Sequence, residues 1–432
     1  MVSSRRGIRL RNKSHSCSMS GVWRAVAHNE GAAVIFHSPR ACAHVTHDMD
    51  MGIQYRAMGR DYFVPGQYTA PLVCSALREK HSIFGGSEQL RGCIDHVVEK
   101  YRPQYVVIAN SCVAGVIGDD TDAVAAQAEV DWQLPIISVP CHSFLDGDFH
   151  AGFYYAAKSL AERFMSPQPP QANRVTFLGD RGGPITRDML EIKRLVGFFG
   201  FDEYCLFPAY ASINEMQLVP ASGINILMGG TPQARPWAGK LAGDLQEMFG
   251  TPWLDEDYPI CWARTKSWLQ SMGEILGKKS VACTAISEQT MELNEQLQAV
   301  TPRLQGKNIA FCIGRSLLLF DPSWVFELIE LSGVHLSCVA LLEDSLTLAQ
   351  QAALKQQLPH QTIAPVIGAT NAAEVLDSVD FIVTTHELTE PLKPQLFLPM
   401  QPLVGVRGLV SLLQLMARLA ERKGNRGGII YG

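Results

Sequence analysis

YVVIANSCVAGVIGDDTDAV, residues 105–124, decides how this chain is read. Six residues of a strand-forming type, YVVIAN, run into a turn that carries Cys112, Asp119 and Asp120. An alanine-rich helical pattern follows. A short apolar run bounded by turn residues fits a strand covered on both faces. A strand that feeds a helix is half of a βα unit. Cys112 stands where the strand ends and the helix is about to begin. The bland reading of the two aspartates is that they accept free N–H groups at the helix start and complement its dipole.

The same alternation recurs outward in both directions. Probable strands are AAVIFH (32–37), LPIISV (134–139), RVTFLGD (174–180), GINILMG (223–229), NIAFCIG (308–314), HLSCVAL (335–341) and DFIVTT (380–385). Many lead into helix-like stretches, so the expected fold class is α/β with parallel sheets. The Pro- and Gln-rich MSPQPPQANR (165–174) reads as a linker, and TPRLQGKN (301–308) precedes a fresh strand. Three domains are therefore expected, over 1–165, 172–300 and 305–432. The last helix, LVSLLQLMARLAERKG (409–424), is expected to pack back on an earlier domain.

The 432 residues carry a net charge of -5, which argues against non-specific binding to nucleic acid. The N-terminus MVSSRRGIRLRNKSHS has no apolar core of a signal peptide. No uncharged apolar run reaches the roughly 18–20 residues of a membrane helix. A cytoplasmic protein is expected. In that setting eleven cysteines point to metal or redox chemistry for some and to packing for others. Cys205, Cys312 and Cys338 lie in apolar runs and are expected to be buried packing residues.

Two patterns are set aside. GEILGKKS (273–280) has three residues between its glycines, where a phosphate loop needs four, and it follows a helix. It reads as a glycine ending that helix. RACAHVTHDMD (40–50) brings Cys42, His44 and His47 together, but no second ligand pair completes a zinc site.

Three cysteines share a setting. Cys17 precedes an apolar helix-like run, Cys42 follows the strand AAVIFH in the loop SPRAC, and Cys112 follows YVVIAN. In parallel sheets, ligands collect at strand carboxyl ends beside helix N-termini. Thiols there ionise more easily, and thiolates are the ligands of iron–sulfur clusters. Three thiolates do not close a four-thiolate site. The fourth ligand is either local, with Cys141 and Ser143 after another strand as the nearest candidates, or comes from another chain. Cys74 is open between ligand and buried residue.

The order C-x24-C-x69-C, with FHSPRAC, then SIFGGSEQL (82–90), ANSCVAGVIGDD and SVPCHSF, resembles nitrogenase component 1. The later LQEMFGTPWLDEDYPICWARTKSWLQSMGEILGK resembles that family's second domain, and the likeness covers nearly the whole chain. It implies three Rossmann-like domains. It implies that Cys17, Cys42 and Cys112 hold either half of a P-cluster-like [8Fe-7S] centre shared between two related subunits, or a simpler [4Fe-4S] cluster. Ser143 resembles a serine that the β-type subunit brings near that cluster, which with FHAGF implies a β-like chain. The implied partners are a related α-like subunit in a heterotetramer and a dimeric ATP-dependent iron–sulfur reductase.

This chain departs from the family's cofactor-bearing subunit. There is no cysteine between INILMGGTP and Cys261, and no histidine in FLPMQPLVGVRGLVSLLQLM. The resemblance then implies an electron-relaying subunit whose active site lies on its partner, with carbon–sulfur cleavage of methylthio-alkanes as the fitting reaction. A cofactor-assembly scaffold and a tetrapyrrole reductase subunit are the alternatives.

Overall fold

Apolar and β-branched residues fill β1 (Ala32–His37), and β3 (Tyr105–Asn110) is of the same kind; every residue of both is buried. They lie side by side, with β2 (Leu72–Cys74) outside β1 and β4 (Ile136–His142) outside β3. Register sets Phe36 against Cys74 and His37 against Asn110, so β1, β2 and β3 run out at nearly one level. The computed structural model describes residues 17–58, 63–64, 66–145, 147–389, 393–422 and 429–431.

A second sheet has the order β6-β5-β7-β8, from β5 (Gln171–Gly179), β6 (Glu203–Phe207), β7 (Ser222–Met228) and β8 (Trp253–Leu254). A third contains β9 (Asn308–Ile313), β10 (His335–Leu341), β11 (Val366–Gly368), β12 (Phe381–Thr384), β13 (Gln395–Phe397) and β14 (Ile429–Tyr431). Its order, β11-β10-β9-β12-β13-β14, is that of a doubly wound sheet. All strand pairings in the three sheets are parallel. The fold is therefore α/β, as the alternating pattern required. The runs 32–37, 105–110 and 335–341 are strands to the residue.

Seven helices accompany the first sheet: α1 (Ser18–Val26), α2 (Arg40–Met58), α3 (His81–Phe84), α4 (Ser87–Tyr101), α5 (Cys112–Ile117), α6 (Thr121–Trp132) and α7 (Phe149–Phe164). α1 buries Met19, Val22, Trp23 and Val26 and packs on α7. Two glycines set how close these helices come. A Cβ on Gly21 would lie 1.9 Å from the Phe149 carbonyl oxygen, and one on Gly152 would lie 1.8 Å from that of Ser18. The helices thus touch backbone to backbone, and any side chain at either position forces them apart.

Among the described residues the chain forms two compact units, one of residues 17–229 and 234–255, the other of 230–233 and 256–431. The first unit holds the first two sheets and the second holds the third. Within the second unit the helix Gly405–Ala420 packs on the helices Cys261–Ile275 and Lys279–Leu304. The first of these ends before Gly277, whose φ of 63° is left-handed. GEILGKKS is thus the turn between two helices, with the helix-ending glycine that its sequence predicted. The linker read at 165–174 is shorter than expected, because β5 begins at Gln171. Among the described residues no helix is long and apolar enough to cross a membrane.

Candidate metal centre

Cys17 is the N-cap of α1, and its carbonyl accepts from Ser20 Oγ at 2.7 Å. It forms an isolated antiparallel bridge with Asp148, beyond β4. The next residue, Ser18, donates its hydroxyl to the Ser143 carbonyl at 3.0 Å. Ser143 is buried and has a φ of 54°. The chain leading into α1 is thus tied to the exit of β4. Cys112 is the first residue of α5, whose N-cap Ser111 accepts from Ala114 N. Ser111 N in turn donates to the His37 carbonyl at 3.1 Å, which ties the end of β3 to the end of β1.

Cys42 differs from its expected placement. It lies in the first turn of α2 rather than in a loop, because the helix starts at Arg40 directly after Pro39. Proline fixes the backbone for a helix start. Burial pushes the Cys42 thiol above its ordinary pKa, and the neighbouring thiols of Cys17, Cys112 and Cys74 push it further, in that order. Four sulfurs therefore share one neighbourhood at the carboxyl edge of the first sheet. A helix N-terminus favours a thiolate; at Cys42 burial and crowding by other sulfurs outweigh it. A cationic centre is what turns such thiols into thiolate ligands.

The other sequence candidates lie elsewhere. Cys141 is buried in the apolar core with Val139, Tyr154 and Leu160. Cys205, Cys312 and Cys338 are buried in strands. On α2, His44 is exposed and pairs with Asp48 one turn on. The acidic pair splits its work. Asp120 caps α6 by accepting from Ala123 N, as expected. Asp119 does not cap the helix. Its carboxylate accepts from His37 Nε2 at 2.9 Å and from Gly86 N at 2.7 Å.

His37 belongs to a network that the sequence did not disclose. Its Nδ1 lies 2.9 Å from Ser75 Oγ, which also accepts from Ser38 N. Burial pulls the His37 pKa below its ordinary value despite Asp119. The neutral ring then donates from Nε2 to Asp119 and accepts at Nδ1 from Ser75. One imidazole joins the loop after β1, the loop after β2 and the loop after α5. Cys42 in the first turn of α2, Cys74 at the end of β2 and Cys112 at the start of α5 lie on the elements that those points join. The one hint in sequence is a polar His-Ser pair closing an apolar strand.

Among the described residues no three His, Cys, Asp or Glu side chains surround a single point closely enough for one metal ion. A multi-iron cluster takes its thiolates at separate corners. Cys17, Cys42, Cys74 and Cys112 are all free thiols and converge from separate elements. That donor set fits a cluster of iron and sulfide.

A three-sheet α/β chain with soft sulfur donors at one sheet edge is the class that fold and site define. The family model of nitrogenase component 1 type oxidoreductases matches residues 17–420, and the chain belongs to that family. It is 26% identical over 284 residues to the nitrogenase iron-molybdenum cofactor biosynthesis protein NifE of Clostridium pasteurianum, covering 65% of this chain and 58% of that protein. It is 24% identical over 288 residues to the nitrogenase molybdenum-iron protein alpha chain of Methanosarcina barkeri, covering 65% and 52%. The matched region thus spans between half and two-thirds of those relatives' length. A solved structure titled Nitrogenase Cp1 at pH 5 superposes with a TM-score of 0.64 at 16% identity, over 94% of this chain and 88% of that one. At that identity the likeness speaks for the fold.

Proposed function

We propose that this chain is one subunit of a nitrogenase-like reductase, and that Cys17, Cys42 and Cys112 hold an iron–sulfur cluster that relays electrons. The observation that carries this is the meeting of those thiols at one sheet edge, where burial first and then the other thiols act on Cys42. Ser143, tied through its carbonyl to the residue after Cys17, belongs to the same site. The partners are a related component 1-type chain and an ATP-dependent iron–sulfur reductase. The reaction takes place on the partner, and methylthio-alkanes are the first substrates to try. The β-like assignment draws no support from the relatives named above, which are of alpha-chain and NifE type.

A second reading has its own support. The NifE relative is named for cofactor biosynthesis, so a scaffold that carries a maturing cluster fits the same thiols. The test is anaerobic co-purification with a related component 1-type chain, followed by iron analysis and EPR. Iron lost in Cys42→Ala supports the cluster. Reductase-dependent turnover then supports the relay, and passage of a loaded cluster to an apo-acceptor supports the scaffold. A wild-type complex without iron sinks both.

A further inference from the structure

Cys74 is the last residue of β2, registered against Phe36 of β1. Its thiol donates to the Ser38 carbonyl at 3.1 Å, and Ser38 Oγ lies 3.5 Å from the same sulfur. Ser38 also acts on the Cys42 thiol, opposing the rise that burial causes. Cys42 and Cys74 therefore flank one serine. Two residues on, Ala76 has a φ of 58°, in the left-handed region that residues with a side chain avoid. That turn brings Ala76 N–H to 3.3 Å from Cys74 Sγ. Strained backbone of this kind persists where the surroundings enforce it, often at functional sites. Hydrogen bonds to ligating sulfur are one way a protein tunes a cluster.

Cys93 on α4 shows what a packing cysteine nearby looks like. It is buried, and burial pushes its thiol up to about 12. Cys74 instead is half-buried, at the strand end, with an N–H aimed at its sulfur.

We propose that Cys74 is a fourth thiolate, so that Cys17, Cys42, Cys74 and Cys112 close a four-cysteine [4Fe-4S] site within one chain. This rests on the cluster reading above and goes beyond it, because no ligand from a partner is then needed. Loading is ligand exchange. Each thiol gives its proton to solvent, and its sulfur replaces one small-thiol ligand on a preformed cluster. No atom changes oxidation state.

The test loads the full chain, made without a partner, from a preformed [4Fe-4S] cluster carried by 2-mercaptoethanol under argon. Iron per chain and EPR before and after mild oxidation are read for wild type, Cys74→Ala, Cys74→Ser and Cys42→Ala. Thermal unfolding of each variant confirms folding. Expected for wild type is about 4 irons per chain and a reduced [4Fe-4S] signal. Expected for Cys74→Ala is loss of the unanchored iron on oxidation, giving a three-iron signal that wild type does not show. Iron content and signals in Cys74→Ala and Cys74→Ser equal to wild type, with iron lost in Cys42→Ala, overturn the proposal and leave the cluster reading standing. Loading of wild type only in the presence of a partner chain does the same. Failure to load with or without a partner overturns both.

Discussion

The first and third sheets are both parallel, but they use cysteine in opposite ways. Cys312 and Cys338 lie inside β9 and β10, fully buried, and burial drives both thiols up. Past those strands the edge closes on itself with harder donors. Gly314 N donates to Thr385 Oγ1 at 2.8 Å, and Thr385 Oγ1 lies 3.0 Å from His386 Nδ1. In the first sheet Cys74 is the last residue of its strand, and Cys112 begins the helix just past its own. A shift of a few residues along a strand thus separates a cysteine buried in the packing from one at the sheet's edge. Cysteine count says little; position relative to the strand end says much.

The contrast can be broken in several places. The largest effect is expected where the cysteine edge depends on backbone contact. Gly152→Val places side-chain atoms on the Ser18 carbonyl. It should cost about 3 kcal/mol or more and release Cys17 from the site. Thermal unfolding would show it, and an unchanged melting temperature would mean that the α1–α7 contact is not as tight as described.

Next comes the comparison of the two edges. Cys42→Ala should abolish iron binding, while Cys312→Ala should keep full iron and cost about 1–2 kcal/mol as a small cavity. Iron loss from Cys312→Ala would erase the distinction between the sheets.

Asp119→Asn is expected to be milder. It weakens the bonds to His37 and Gly86, for about 1–3 kcal/mol, and should lower cluster retention without abolishing it. Denaturant unfolding and iron release to a chelator would check both.

The smallest effect is a pH slope. His37 has a lowered pKa in the folded chain, with burial as the main cause. The unfolded chain therefore takes up a proton that the folded chain refuses. The stability contributed is full above about 6.5 and falls as pH drops below it. The difference in unfolding midpoint between pH 7.5 and 5.5 should shrink in His37→Gln, and an equal slope would remove His37 from the account.

The sequence revealed the strands best where burial on both faces left nothing to interpret. AAVIFH and YVVIAN are continuous apolar or β-branched runs with polar ends. It concealed β2, β8, β11 and β13, which are two or three residues long and carry no readable period. Cys112 was visible because strand and helix signals meet at it. The role of Asp119 was not, because its partner His37 lies 82 residues away. Only the register of β1 against its neighbours brings the two together. Cys74 stayed open for the same reason: LVC is too short to announce a strand, so its place at the sheet edge could not be known.

The glycine crossing also bears on how this chain could be recombined with its relatives. α1 and α7 lie far apart in sequence, yet each is notched to receive the other's main chain. Exchanging one of them alone would set a side chain against a carbonyl and tilt the strap that carries Cys17. Exchanging both together would preserve the fit, whatever the identity of the remaining residues. For chimeras the unit of inheritance is therefore this pair of helices, not any continuous segment.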